Sequence, residues 1–114
     1  MSIAWKNITS VEQLEAIEKE SYETPTILFK HSTSCSISAM AKSRFEKNAN
    51  TGNEVYYYLD LLRFRDVSNA IAEKFQVYHE SPQVILLKNG EVIYDDSHMA
   101  ISFDEIQKQI ASLN

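Results

Sequence analysis

The sequence predicts an α/β fold in three layers, a central sheet of mixed strand direction flanked by helices. Three observations carry that expectation. Short apolar runs of strand length, at 26–30, 54–60 and 83–88, are separated by segments whose apolar residues recur at helical spacing. The first two runs are joined through a helical segment, and such a connection within one sheet requires parallel strands with a right-handed crossover. The third run ends at Asn89-Gly90, a two-residue hairpin signal, so Glu91 to Asp95 returns antiparallel with Lys88 and Glu91 as an opposite-charge pair.

Each element has its own local reason. Ile3 to Ile8 reads as a short edge strand with Trp5 folded onto the body. Ser10 followed by Gln13 is a capping-box pattern that opens a helix with Val11, Leu14 and Ile17 on its buried face, running to about Tyr22. Pro25 cannot continue that helix and leads into the strand Thr26 to Lys30, which is apolar on both faces and therefore central. Ile37, Met40, Ala41, Phe45 and Ala49 then fall on one helical stripe. Asn48 to Asn53 is rich in turn residues and reads as an exposed loop before the aromatic strand Glu54 to Asp60, where three successive tyrosines carry their hydroxyls to the sheet rim. Asp66 is the expected cap of a helix with Val67, Ala70, Ile71 and Phe75 on its apolar face. Ser81-Pro82 precedes the next strand, and a loop from Asp96 to Ile101 follows the hairpin. Ser102 and Glu105 form a second capping box for a last helix lined by Phe103, Ile106, Ile110 and Leu113.

Composition bounds what this fold can do. A chain of 114 residues reads as one domain, 1–114, with 44% hydrophobic residues. Its 11 basic and 16 acidic residues leave a net charge of −5 with no basic block, which argues against a nucleic-acid backbone as partner. There is no apolar stretch of about 18 residues and no basic, then apolar, leader at the N-terminus, so the expectation is a soluble cytoplasmic protein without a membrane partner. The single cysteine, Cys35, excludes an internal disulfide and leaves only intermolecular disulfide chemistry. With His31, His79 and His98 it makes no metal-ligand spacing, and no cofactor is expected.

The chemistry therefore centres on residues 26–45, where a buried strand ends in a cluster of small hydroxyl residues and Cys35 opens a helix. In the first turn, unpaired N–H groups and the positive end of the helix dipole favour a thiolate, the nucleophile of sulfur chemistry. Ser38, three residues on, shares that face and can donate to the sulfur, and Ser34 and Ser36 flank the thiol as further thiolate-supporting candidates. The position partnering Cys35 after an intervening pair holds serine, as in a redox thiol without a resolving cysteine. Ligands of open α/β sheets gather outside the carboxyl ends of parallel strands, which brings Arg63 and Arg65, after the second central strand, to the same edge.

Ile71 to Val77, Ser81-Pro82 and Val84 to Val92 together resemble the C-terminal half of thioredoxins. In that superfamily the proline before the third central strand is cis and faces the nucleophilic cysteine. Pro82 holds that position, 47 residues after Cys35, and the resemblance implies that the Ser81 backbone pairs with a bound thiol compound or peptide. The whole chain is more similar still to the monothiol bacilliredoxins of the bacillithiol system, the YtxJ-like branch. The matching stretches are Ser34 to Ser38, Tyr57 to Leu61, His79 to Gln83 and Ser97-His98. Two departures stand out. The usual motif has proline after the cysteine, where this chain has Ser36, and dithiol thioredoxins carry an acid six positions before the nucleophile, where this chain has Phe29. A protein with no resolving thiol has no use for that acid.

The resemblance implies a thioredoxin-like fold and a monothiol thiol-disulfide oxidoreductase that takes bacillithiol from S-bacillithiolated client proteins onto Cys35. An external thiol or reductase then restores the enzyme. His98 joins Ser81 and Pro82 as a substrate-binding candidate, and Arg63 and Arg65 are candidates for the carboxylates of the small thiol. Two other classes stay open at this point: an adaptor that binds a client at the Pro82 edge and uses Cys35 as an oxidation sensor, and a cluster-binding glutaredoxin-like protein, whose Cys-Gly-Phe-Ser motif is missing here.

Overall fold

In the computed structural model, which describes residues 3–49 and 52–113, a five-stranded sheet has the order β1-β3-β2-β4-β5. The elements are β1 (Trp5–Asn7), α1 (Gln13–Glu20), β2 (Thr26–His31), α2 (Ser36–Lys47), β3 (Val55–Asp60), α3 (Arg65–Lys74), β4 (Gln83–Lys88), β5 (Glu91–Ser97), a 3-10 turn (His98–Ala100) and α4 (Phe103–Ala111). The strands β1, β3 and β2 are parallel; β4 runs antiparallel to β2, and β5 antiparallel to β4. The sheet is therefore mixed, and β2 is central with all six residues buried.

Strand alternation divides the core in two. Ile27 and Phe29 of β2 point to one side and meet Phe45 of α2 and Phe103 and Ile106 of α4. Leu28 points to the other and meets Leu14 and Ile17 of α1 and Val67 and Ile71 of α3. On the first side Phe45 stacks edge-on against Phe103 with ring centroids 5.2 Å apart. Each such buried side chain contributes about 1.5–3 kcal/mol by leaving water.

Several details depart from the sequence expectation. The first helix begins at Gln13, and Val11 stays exposed; Gln13 Oε1 accepts the Ser10 N–H at 3.0 Å, the returning half of a capping box. Along α2 the apolar stripe splits. Ala41 and Phe45 are buried, but Ile37 and Met40 are 50% and 60% exposed, and the inward position between them is taken by Ser38. Asp66 is not the cap of α3: Phe64 occupies that position, and Asp66 lies in the first turn, where its charge complements the dipole. The strand β5 runs on through Asp96 and Ser97 where the sequence predicts a loop, and Leu113 lies beyond α4 and is exposed. Of the turn-rich loop 48–53, Asn50 and Thr51 lie outside the described residues. The tyrosine hydroxyls of Tyr56 and Tyr57 are held by Glu54 and Glu20, each at 2.7 Å.

Asn89 and Gly90 both have positive φ, 55° and 76°, as the tight hairpin demands, and Lys88 pairs with Glu91 in the register. Ser102 Oγ accepts the Glu105 N–H at 3.3 Å and starts α4.

Candidate active site

The carboxyl end of β2 delivers the chain to a four-residue turn, closed by the Cys35 N–H donating to the Ser32 carbonyl at 3.2 Å. Cys35 is the cap residue of α2, with extended backbone (φ −110°, ψ 121°), and its carbonyl accepts the Ala39 N–H at 3.1 Å. It thus stands one residue before the helix rather than inside the first turn, half-buried and beside the unpaired N–H groups that open α2. A thiol in that place is accessible to a disulfide and sits at the positive end of a helix dipole.

Of the serines around it, Ser34 and Ser36 are exposed, and Ser34 Oγ lies 3.5 Å from Ser32 Oγ. Ser38 is fully buried and its hydrogen bonds do not run to the sulfur. Its hydroxyl accepts the Ser32 N–H at 3.0 Å and lies 2.8 Å from His31 Nδ1. His31, on the same face of β2 as Phe29, is 7% exposed. Burial and the nearby Lys42 hold its imidazole below the usual histidine value, against the opposing pull of Asp60 and Glu46. Asp60 is the strand neighbour of His31 across the β2/β3 pair, and its Oδ1 is, among the described residues, a buried oxygen with no partner.

The second wall of the site comes from β4. Gln83 pairs with Lys30 in the antiparallel register, which sets Pro82 beside His31, one step further along. The Ser81-Pro82 bond is cis. The Pro82 carbonyl accepts the N–H of His98 at 3.0 Å, and His98 Nε2 lies 3.4 Å from Glu80 Oε2. The structure therefore brings Ser81, Pro82 and His98 together at the edge where the β2 turn presents Cys35.

Other candidates lie elsewhere. His79 turns toward α3, with Nδ1 3.2 Å from both Lys30 Nζ and Ser68 Oγ. Arg63, with Asn7, Tyr58 and Asp60, lines a cavity of about 240 Å³ at the ends of β1 and β3, and Arg65 is the exposed first residue of α3. Sequence reasoning missed Lys30 and the pairing of His31 with Ser38. Strand alternation from Phe29 would have set His31 on the α2 side, but nothing local announces its partner.

Residues 6–106 match the family model of the monothiol bacilliredoxins, BrxC. The chain belongs to that family. A solved protein of thioredoxin fold to which oxidoreductase activity has been ascribed is 33% identical over 91% of each chain, with a TM-score of 0.79. The thioredoxin of Schistosoma mansoni (15% identity, 96% and 95% of the two chains, TM-score 0.72) shares the fold. So does a thioredoxin of Nicotiana alata (17% identity, 98% and 94%, TM-score 0.72). This bacilliredoxin is thus a thioredoxin-fold member of a thiol-redox family with one cysteine. Among the described residues no helix is long and apolar enough to cross a membrane.

Proposed function

We propose that this chain is one thioredoxin-like domain acting in the cytoplasm as a monothiol oxidoreductase that removes bacillithiol from protein mixed disulfides. The observation that supports the reading is a single cysteine set as the cap of α2, in a chain of the monothiol family whose Ser81-Pro82 bond is cis.

The Cys35 thiolate attacks the bacillithiol sulfur of the mixed disulfide. The S–S bond to the client breaks, the client leaves as a thiolate that takes a proton from water, and a Cys35–bacillithiol disulfide remains. A second small thiol, or a reductase, attacks that disulfide and returns Cys35 as thiolate, because the chain has no other cysteine to do so. The N–H groups opening α2 and the hydroxyls of Ser34 and Ser36 support the thiolate, and Ser38 supports it through the turn. Ser81, Pro82 and His98 receive the substrate at the start of β4. Ile37 and Met40, exposed on the helix that Cys35 caps, are apolar surface suited to a protein client rather than to a small disulfide alone.

The test is intact mass spectrometry of reduced protein mixed with a bacillithiolated client, in parallel with a glutathionylated one, and with Cys35→Ser as control. Transfer of bacillithiol to Cys35 with release of reduced client is expected, preferred over glutathione. Absence of transfer from both clients would overturn the reading in favour of a binding adaptor.

A further inference from the structure

We propose that His31 is a positioning residue for Cys35, acting through Ser38: the neutral imidazole fixes the direction of the Ser38 hydrogen bond, and with it the turn that presents the thiol. This rests on the reading of Cys35 as the reacting thiol.

Hydrogen-bond valence fixes how the two side chains pair. Ser38 has one proton and two acceptor sites. One site is taken by the Ser32 N–H, which can only donate, at 3.0 Å. With His31 neutral and its Nδ1 bare, Ser38 donates to it across 2.8 Å, and the pair is complete. The Ser32 peptide held in this way offers its carbonyl to the Cys35 N–H at 3.2 Å. The chain of bonds His31, Ser38, Ser32, Cys35 thus runs from the centre of the sheet to the backbone N–H of the residue that carries the thiol.

Protonation of His31 puts a hydrogen on Nδ1, which must then donate. Ser38 would have to accept from both His31 and Ser32, and its own proton loses its acceptor inside a fully buried site. Either that bond breaks or the turn shifts, and in both cases the pin on Ser32 is lost. The groups facing His31 are Lys42 and Glu46 from α2 and Tyr58 and Asp60 from β3, with Ser38 below. Burial and Lys42 hold the imidazole below its usual value, which favours the neutral form, and the pinned state is the neutral tautomer with Nδ1 bare.

The experiment is the rate of Cys35 alkylation by iodoacetamide between pH 4.5 and pH 9 (about one point per half unit), divided at each pH by the thiolate fraction read from absorbance at 240 nm. NMR of the imidazole follows His31 in the same samples, and circular dichroism checks folding. In the parent protein the normalised rate should be flat above pH 6.5 (about the unperturbed histidine value) and fall as His31 takes up its proton. His31→Gln, whose amide oxygen accepts from Ser38 at every pH, should remove that fall. Ser38→Ala should lower the normalised rate about tenfold at neutral pH, the equivalent of one lost hydrogen bond, and show no inflection while His31 still titrates. An inflection that persists in Ser38→Ala, or a parent profile without one, overturns the proposal. If Ser38→Ala does not fold, a fall that survives in His31→Gln does the same. Alkylation needs no bacillithiol, so its outcome is separate from whether the client reaction occurs.

Discussion

Nζ of Lys30 and Nδ1 of His79 lie 3.2 Å apart, so a fully buried strand lysine is met by an imidazole and the Ser68 carbonyl, not by a carboxylate. A buried ammonium without an anion is costly, and burial pushes the Lys30 amino group down to about 8. Burial and the charge of Lys30 in turn hold His79 below its usual value.

This relationship predicts a stabilising substitution. The unfolded chain holds the Lys30 proton up to its ordinary value of 10.5, and the folded protein releases it near 8. The unfolded state therefore binds more protons between those values, so stability rises with pH across that window, and below it the full cost of about 3 kcal/mol is present. Lys30→Met, similar in volume and apolar, should stabilise the protein at pH 7 by about 1–3 kcal/mol and flatten the alkaline rise. Calorimetric Tm at pH 7 and at pH 9.5 measures both effects. A lower Tm than the parent at pH 7 would show that the bonds to Ser68 and His79 outweigh the desolvation.

The contrast between Lys30 and the hairpin shows what was legible from sequence. Asn89-Gly90, Gln13 and Ser102 declare their roles within a few residues, because positive φ and backbone capping are local requirements, and the structure uses all three. The strand Gln83–Lys88 was readable for the same reason, bounded by Pro82 and the turn. The face of α2 was not. Ile37 and Met40 look like core by their apolarity, but the inward position belongs to Ser38, whose burial is made possible by His31 from a different strand. Lys30 is the same case in reverse, a charge placed in the core by its neighbours in the sheet. The place of Cys35 at the start of a helix is legible in the sequence; the polar chain beneath it depends on tertiary contacts and leaves no local signature.

A second prediction concerns Glu46, whose Oε2 accepts the Trp5 indole N–H at 2.6 Å and the Lys42 ammonium at 2.8 Å. Burial alone would raise this carboxyl, but the bonds from Lys42 and Trp5 outweigh it and hold the group below its ordinary value. Its stabilising effect is present above about pH 4.5 and lost as pH falls through the lowered value. Glu46→Gln should cost about 1 kcal/mol at pH 7, discounted for partial exposure, and weaken the acid limb of the stability curve. Trp5 is the sole tryptophan, so its fluorescence reports the change directly, with a shifted emission maximum expected in the variant. Identical acid limbs in the two proteins would show that Glu46 does not contribute to acid stability.

At Gly90 the backbone decides. A Cβ there would meet Tyr22 Oη at 2.9 Å, but that is the tip of an exposed side chain and can move; φ of 76° cannot be relaxed without opening the hairpin. Gly90→Ala should therefore destabilise by about 1–2 kcal/mol, the left-handed penalty of an L-residue. Urea denaturation should show a lower midpoint with an unchanged slope. Cys35 alkylation should not change, since the hairpin turn lies at the opposite end of β4 from Pro82. A neutral effect on the midpoint would mean that the hairpin adopts another turn.

Arg44 links the two walls of the site. One guanidinium nitrogen, Nη2, donates to the carbonyls of Met99 at 2.7 Å and Ile101 at 2.9 Å, and so ties the 3-10 turn after β5 to the helix that Cys35 caps. His98 leads that turn and bonds Pro82 through its backbone N–H, so the start of β4 is tied through the turn to α2. A lysine ammonium has three donors but carries them on a shorter, freely rotating stem and not in the fixed plane of a guanidinium, so it holds the two carbonyls less firmly, whereas alanine removes the tie altogether. Arg44→Ala should cost about 1–2 kcal/mol, less than a fully buried charged pair because Met99 is exposed. Hydrogen exchange should then accelerate at His98 and Ile101 by about tenfold, with amides of β2 and β4 unaffected. Arg44→Lys should fall between the two. Because His98 and Pro82 are proposed to receive the client while the Cys35 turn is held separately by Ser38, client transfer should slow in Arg44→Ala and iodoacetamide alkylation should not. Equal slowing of both reactions would show that α2 itself has moved, and that the two walls of the site are not independently supported.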